Sequence, residues 1–415
     1  MAREKKIEEY DVVIIGGGAS GMTAGIYAGR ARLKTLLIEK SLVGGLATYT
    51  NEIENYPGFP EGTTGLELMN RFQAQAKKFG VKFKGTDVKS VDFSGETKIV
   101  ETFRNIYKSK VVIISSGGRP RTTGAENEEN FLFDKGISFC ATCDAASNTG
   151  KDVLIIGSGD AAIEEGMFLT KFANKVYVSV IHDNGKMDCN EIAKAEALAN
   201  PKMEFLWNTM VKRFEGGDHL ERVVLENVKT REEVPVETPT CFEFIGYIPN
   251  TEIFEDHVEV NAKGYLPVNE NMETKVEGVY AVGDVTEKFL KQVATAVGDG
   301  AIAGYAAEKY IAEIEVYQNQ ILSKDGVVFV YDASEEACRE HLCDIDEIEK
   351  HAKGVFQVTR VDVYKSKGIA NRMHIHRVPS LAVIKNGEIV KVFEDSFTCK
   401  KVCEAMGIAD CSCAH

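Results

Sequence analysis

The chain has 415 residues, 63 of them acidic against 49 basic, for a net charge of -14. That balance excludes the basic footprint of a nucleic-acid or anionic-membrane binder. With 44% hydrophobic residues, the length is enough for two or three domains with cores of their own. No apolar run approaches membrane-spanning length, and the charged lead MAREKK passes straight into a strand-like run, so the expected compartment is the cytoplasm. Ten cysteines in that compartment should be mostly reduced, which makes any paired ones catalytic, metal-binding or incidental.

The first predicted elements form a βαβ unit. A buried strand over residues 12–15 meets Gly16, Gly18 and Gly21 in the pattern G-x-G-x-x-G; a helix of small residues follows, and a second strand ends in Glu39. The glycines allow a tight turn, close approach of the backbone to a pyrophosphate, and close packing of helix on strand. The helix N-terminus directs N–H groups at the phosphates, and an acid at the end of the second strand accepts from ribose hydroxyls. Such a unit binds a dinucleotide.

Next comes FCATCDA at 139–145, with Cys140 and Cys143 two residues apart and Asp144 directly after. The pair is either half of a zinc site or a reversible disulfide. Zinc needs two further ligands at comparable spacing, and Cys189, His182 and Cys241 are scattered without it. The expectation is redox chemistry and no metal. Only a thiolate attacks the next disulfide and the leaving thiol needs a proton, which Asp144 is placed in the sequence to give and take.

The nucleotide pattern then recurs. Gly157, Gly159 and Ala162 give G-x-G-x-x-A behind a strand at 153–156, so two nucleotides are expected, typically a flavin and a nicotinamide. The second strand of this unit leads into His182, Asp183 and Asn184. Arginines here would grip a 2′-phosphate, whereas Asp183 would repel it and accept from a free 2′-hydroxyl. The chemistry favours NADH over NADPH. If NADPH is the donor, Lys186 is the cation at hand.

Taken together, GGGASG, ENYPGF (54–59), SSGGRPR (115–121), FCATCDA, GSGDAAIEE, FIGYIPNTEIF (244–254) and GVYAVGDVTEKFLKQVATAVGDGAIAG (278–304) resemble the low-molecular-weight thioredoxin reductases, within the pyridine nucleotide–disulfide oxidoreductases. The resemblance covers about residues 10–312. It implies an α/β fold of two Rossmann-like domains, one inserted in the other. The FAD-binding domain would take residues 1–118 and 246–318, and the NAD(P)-binding-like domain carrying the cysteines residues 119–245.

By the same resemblance, Gly16, Gly18, Gly21 and Glu39 would hold the ADP moiety of FAD. Asn55 would lie beside the flavin, Gly283 and Asp284 near the ribityl and pyrophosphate, and Gln292 and Val293 by the isoalloxazine. Cys143 would be the thiol nearer the flavin, Cys140 the interchange nucleophile and Asp144 the general acid. The inserted domain of the family rotates, taking the cysteines from flavin to protein substrate.

Two departures bear on the donor. The family's His-Arg-Arg is His182, Asp183, Asn184 here, and its Gly-Gly-Gln near the flavin ends in Leu46. Some relatives that lack the nicotinamide signature take electrons from ferredoxin, although here the glycine half of the signature survives.

The family core should end near Ile311, followed by a short polar hinge and a C-terminal α/β domain over 325–415. Its order of strand, helix, strand, helix, two strands joined by KNG, and a last helix resembles the thioredoxin fold, with Pro379 in the place of that fold's cis-proline. The Cys-x-x-Cys of that fold is absent: Glu335 stands where the nucleophile would be and Cys338 about where the second cysteine would be. The domain reads equally as a docking or relay module and as a degenerate packing element. Cys399 and Cys403 lie i, i+4 on the last helix. Cys411 and Cys413, in ADCSCAH, are either an electron shuttle or incidental tail thiols, or metal ligands with His415.

The leading expectation is therefore an FAD-dependent thioredoxin-disulfide reductase, a homodimer by resemblance, driven by NADH or NADPH. Alternatives are a ferredoxin-dependent flavin reductase and an NADH-driven reductase of a peroxiredoxin system. A non-catalytic redox sensor is a fourth reading, and the intact CATCD argues against it.

Overall fold

β1 (Lys6–Ile15) is exposed at its start and buried over residues 12–15, as a β-branched run is at the centre of a parallel sheet. The chain continues through α1 (Ala19–Arg30), β2 (Thr35–Glu39), α2 (Gly65–Lys78), β3 (Lys82–Gly85), β4 (Val88–Asp92), β5 (Lys98–Thr102) and β6 (Asn105–Ile114). These strands form one sheet in the order β3-β2-β1-β6-β5-β4, parallel from β3 to β6 and antiparallel beyond. Tyr107 and Phe93 fill its core together with Leu36, Ile38 and Val112. This computed structural model describes residues 5–50, 53–132, 134–352, 355–394 and 397–408.

After β6 the chain leaves this sheet through β7 (Gly118–Pro120). It builds a second α/β layer from β8 (Ile137–Ser138), α3 (Ala141–Asp144), β9 (Asp152–Ile156), α4 (Asp160–Leu169), β10 (Lys175–Val180), α5 (Glu191–Ala199) and β11 (Met203–Trp207). An antiparallel trio follows: β12 (Thr209–Gly216), β13 (Leu220–Asn227) and β14 (Glu233–Glu237). β15 (Cys241–Glu243) slots between β9 and β8, completing the order β11-β10-β9-β15-β8. β16 (Tyr247–Pro249) then pairs antiparallel with β7, and β17 (Val279–Ala281) rejoins the first sheet beside β6. The second nucleotide unit is thus inserted in the first, and its entry and exit strands lie side by side.

α6 (Val293–Val316) closes the core, and the division of the chain into two compact units, Met1–Tyr305 and Ala306–His415, falls inside it. The polar hinge expected after Ile311 is instead helical: α6 runs to Val316 and a π-helical turn covers Tyr317–Leu322. The physical reason is a buried apolar stripe, Ile311, Ile314 and Ile321, at helical spacing in a stretch without glycine or proline.

The second unit holds β18 (Gly326–Tyr331), α7 (Glu336–Glu340), α8 (Leu342–Ala352), β19 (Gln357–Asp362), α9 (Lys367–Arg372), β20 (Ser380–Lys385), β21 (Glu388–Phe393) and α10 (Cys399–Met406). Its sheet order is β19-β18-β20-β21, with β19 parallel to β18 and the rest antiparallel. The Val378–Pro379 peptide is cis. Glu335 is the N-cap residue of α7, and Cys338 is a buried free thiol whose sulfur accepts from the Asp332 N–H at 3.4 Å. No helix among the described residues is long and apolar enough to cross a membrane.

Candidate active site

The site is built on the first glycine loop. Gly16 has φ +109°, and a Cβ there would lie 2.0 Å from the Ser115 carbonyl oxygen. Gly21 is packed as closely against the Gly16 carbonyl, where a Cβ would stand at 2.1 Å. Gly18 behaves differently: it is the N-cap of α1, no side chain caps the helix, and a Cβ there would meet nothing within 4 Å. Uncapped N–H groups facing open space are what a pyrophosphate requires. Glu39 accepts from the Gly17 N–H at 2.7 Å and the Ser41 N–H at 2.8 Å, which fixes the acid beside the loop.

From the far side comes the turn after β17. Gly283 (φ +75°) brings its backbone against Ser20, and its N–H donates to Asp299 at 2.9 Å. Asp299 in turn pairs with Lys288, both side chains largely buried. Burial raises the pKa of Asp284 above the usual carboxylate range, and the Tyr247 hydroxyl reaches it at 3.4 Å. The open Gly18 N-cap and the acid fixed beside it fit the phosphates and ribose of a flavin nucleotide.

The cysteine pair lies in the same compact unit. Cys140 and Cys143 form a disulfide, and Cys143 lines a cavity with Thr50, Asn55, Thr142, Gln292 and Val293. The Asn55 amide donates to the Gln292 Oε1 at 3.1 Å, while the Gln292 Nε2 reaches Thr142 Oγ1 at 3.4 Å and Cys140 Sγ at 3.9 Å. Asn55 and Gln292, distant in the chain, thus come together beside Thr142 and the disulfide at one wall. The Cys140 sulfur also accepts from the Cys143 N–H at 3.2 Å, capping the single turn of α3.

Asp144 sits at the end of α3, and burial raises its pKa above the usual carboxylate range. The Ser138 hydroxyl donates to Asp144 Oδ2 at 2.5 Å, which opposes that rise, and the same hydroxyl accepts from the Cys140 N–H at 3.2 Å. A carboxyl that keeps a proton closer to neutral pH, one residue from the pair, is chemically suited to protonate a departing thiolate.

The second glycine loop repeats the first. Gly157 (φ +129°) approaches the Phe244 carbonyl, where a Cβ would lie at 2.5 Å; Ala162 is buried, and Gly159 is an open, uncapped helix N-cap. Asp183 lies beyond it in an ion pair with Lys229, which holds its carboxyl below the ordinary range. His182 Nε2 and Ser158 Oγ both meet Asp188 Oδ2, at 2.9 and 3.0 Å. Lys186 makes a backbone turn, its N–H donating to the Asp183 carbonyl at 2.8 Å.

Sequence reasoning left out Ser138, Thr142, Asp188, Lys229, Lys288 and Asp299. Ser138 had a signal, as a hydroxyl two residues before the first cysteine. Lys229 had none, since it reaches Asp183 from the turn between β13 and β14. Cys411 and Cys413 lie outside the described residues.

A fold of two nested dinucleotide units with a disulfide at the mouth of the first defines a flavin- and nicotinamide-linked disulfide oxidoreductase. Residues 10–300 match the family described as pyridine nucleotide-disulphide oxidoreductase, and the chain belongs to it. Within that family it is similar to the thioredoxin reductase of Bacillus subtilis, at 42% identity over 313 residues, covering 75% of this chain and 97% of the relative. The thioredoxin reductase of Peptoclostridium litorale is 40% identical over 74% of this chain and 98% of its own. Among solved structures, the thioredoxin reductase of Streptococcus pyogenes superposes with a TM-score of 0.69 at 37% identity, over 73% of this chain and 98% of that one.

Proposed function

We propose that the chain is an FAD-dependent thioredoxin-disulfide reductase that takes its electrons from NADH and passes them through Cys140 and Cys143 to a thioredoxin-like protein. The observation that carries this reading is the Cys140–Cys143 disulfide on the wall of the cavity formed by Asn55, Gln292 and Val293. The relatives named thioredoxin reductases support thioredoxin as the substrate, and the pyridine nucleotide-disulphide family supports a nicotinamide donor.

FAD, held by Gly16, Gly18, Gly21, Glu39, Gly283 and Asp284, would supply the reducing equivalents. Cys143 faces that side of the cavity and takes them up; the S–S bond breaks and Cys140 becomes the free thiolate. Cys140 attacks the disulfide of the partner, forming a mixed disulfide and expelling one partner thiolate, which Asp144 protonates. Cys143 then attacks the Cys140 sulfur, closing the pair and releasing the second partner thiol. Gln292 orients the pair through its contacts to Cys140 and Thr142.

Asp183 supports NADH as donor, because an acid there repels a 2′-phosphate and its ion pair already occupies Lys229, leaving Lys186 as the cation that NADPH would need. The domain division at 1–118, 119–245 and 246–318, the homodimer and the cytoplasmic setting belong to the same reading.

Anaerobic mixing with NADH, NADPH and reduced ferredoxin in turn, followed at the yellow flavin band, tests the donor. Bleaching by NADH is the expected result; bleaching by ferredoxin alone would replace the donor and make the second loop a relic. The cysteine assignment is tested by Cys140→Ser, which should still bleach with the donor while disulfide turnover falls by about 10³-fold or more. Surviving turnover would sink the assignment.

A further inference from the structure

Asp144 is held in two separate ways. Its main chain is fixed inside the segment that follows the cysteines. The Asp144 N–H donates to the Cys140 carbonyl at 3.3 Å, and its own carbonyl accepts from Asn148 Nδ2 at 2.8 Å and Ser147 Oγ at 2.9 Å. Asn148 is buried, and the Thr240 hydroxyl anchors it by donating to its Oδ1 at 2.7 Å. The carboxyl has a different support: among the described residues, Ser138 Oγ alone hydrogen-bonds to it, at Oδ2. Removing that hydroxyl frees the carboxyl and leaves the main chain where it is.

Ser138 ends β8 and is buried. Its oxygen accepts from the Cys140 N–H at 3.2 Å. Its single proton goes to Asp144 Oδ2 at 2.5 Å, with the Cys140 carbonyl a more distant acceptor at 3.4 Å. The hydroxyl thus ties the acid to the backbone of the cysteine that attacks. A donor on Oδ2 reserves that oxygen as an acceptor, so the proton of the acid resides on Oδ1. All three groups lie within residues 138–144, and the arrangement is intact wherever the pair meets its partner.

We propose that Ser138 is a positioning residue for the disulfide exchange: it holds Asp144 by Oδ2, so that Oδ1 carries the proton to the sulfur leaving the partner protein. This role presupposes Asp144 as the acid, as read above. In the first exchange a bond forms between the Cys140 sulfur and one partner sulfur, the partner's S–S bond breaks, and its other sulfur takes the Oδ1 proton. The Cys143 thiol then returns a proton to the Asp144 carboxylate, and its sulfur attacks Cys140 to close the pair. The second partner sulfur takes its proton from solvent, and two electrons have passed from the dithiol to the partner. Burial raises the pKa of Asp144 and Ser138 lowers it, with no charged side chain bearing on it. Loss of the hydroxyl therefore keeps the acid protonated to higher pH while releasing its orientation.

The test uses the full-length, flavin-loaded protein, reduced without oxygen by a stoichiometric amount of dithionite, so the outcome does not depend on the electron donor. It is mixed with oxidised thioredoxin or with dithiobis-nitrobenzoate, an aromatic disulfide whose thiolate leaves without a proton, and the thiols formed are counted after a rapid quench. In Ser138→Ala, reduction of thioredoxin should slow by roughly tenfold or more at neutral pH. The aromatic disulfide should be slowed far less, and the alkaline limb of the thioredoxin profile should move to higher pH. Added to Asp144→Asn, Ser138→Ala should cause no further loss, because it acts through that carboxyl. Equal slowing with both disulfides would overturn the proposal, since the hydroxyl would then only support the loop. An unmoved pH limb, or additive losses in the double variant, would overturn it too. If Asp144→Asn reduces thioredoxin at the wild-type rate, the reading of Asp144 as the acid fails as well. If Asp144→Asn is slow and Ser138→Ala is not, only the role of Ser138 fails.

Discussion

The two glycine loops have nearly the same backbone and different surroundings. Each begins with a glycine forced to positive φ by a carbonyl in front of it, Ser115 for Gly16 and Phe244 for Gly157. Each then opens a helix at a bare N-cap, Gly18 and Gly159. The difference lies in the acid that follows. Glu39 is held by two backbone N–H groups, whereas Asp183 is held by a lysine side chain from another strand pair. A site fastened by backbone suits a cofactor that stays; one fastened by a half-exposed side-chain ion pair suits a nucleotide that comes and goes. The two loops share their backbone pattern and differ in what holds the acid beyond each of them.

The strongest way to break this comparison is at the tight glycines. Gly16→Ala should destabilise the fold by more than ~4 kcal/mol and yield colourless protein, because its Cβ would stand 2.0 Å from a backbone oxygen at φ +109°. Gly157→Ala, with its Cβ 2.5 Å from the Phe244 carbonyl, should lose less stability. It should keep the yellow flavin while losing the response to nicotinamide. Thermal melts and visible spectra of the two variants compare them directly, and equal flavin loss in both would erase the distinction.

A second difference lies behind the second loop alone. Glu243, at the end of β15 beside Phe244, is buried with neither carboxyl oxygen hydrogen-bonded. Burial, then the Glu128 carboxyl beside it, raises its pKa from 4.5 to about 9. The folded chain therefore keeps a proton that the unfolded chain releases above pH 4.5. Stability from this group is present below that value and is lost as pH rises toward about 9, at roughly 1.4 kcal/mol per pH unit. Glu243→Gln should remove that slope and exceed wild type by about 3 kcal/mol at neutral pH in chemical denaturation. A wild-type stability that does not fall between pH 5 and 9 would refute it.

The open glycines should behave alike in folding and separately in binding. Gly18→Ala and Gly159→Ala meet no protein atom, so melting should change little, while affinity falls roughly tenfold, for flavin in the first and for nicotinamide in the second. The smallest effect is expected at the acid itself. Asp183→Asn should raise KM for NADH about fivefold and narrow the preference against NADPH, measured as the ratio of kcat/KM values. An unchanged ratio would remove Asp183 from donor selection.

What could be read along the chain follows from the range of each constraint. The glycine loops, Glu39, the Cys140–Cys143 pair and Asp144 each answer a requirement met within some thirty residues, so their chemistry shows as spacing. The order of elements in the second unit was legible for the same reason, through alternation of strand and helix patterns and the KNG turn. The segment after Ile311 misled because its polar residues outnumber its apolar ones, although the few apolar ones fall on one helical face that Ile314 and Ile321 bury.

By itself, then, the sequence determined the family, the two nucleotide loops and the redox pair. These depend on local backbone freedom, and a cysteine spacing can be recognised without the fold. Only the tertiary structure decided that Asn55 reaches Gln292, that Lys229 answers Asp183, that Asp299 meets both Gly283 and Lys288, and that Glu243 is buried against Glu128. Each of those contacts joins groups that different strands and turns bring together. Burial and pairing are properties of a packed neighbourhood, and no single stretch of chain carries them.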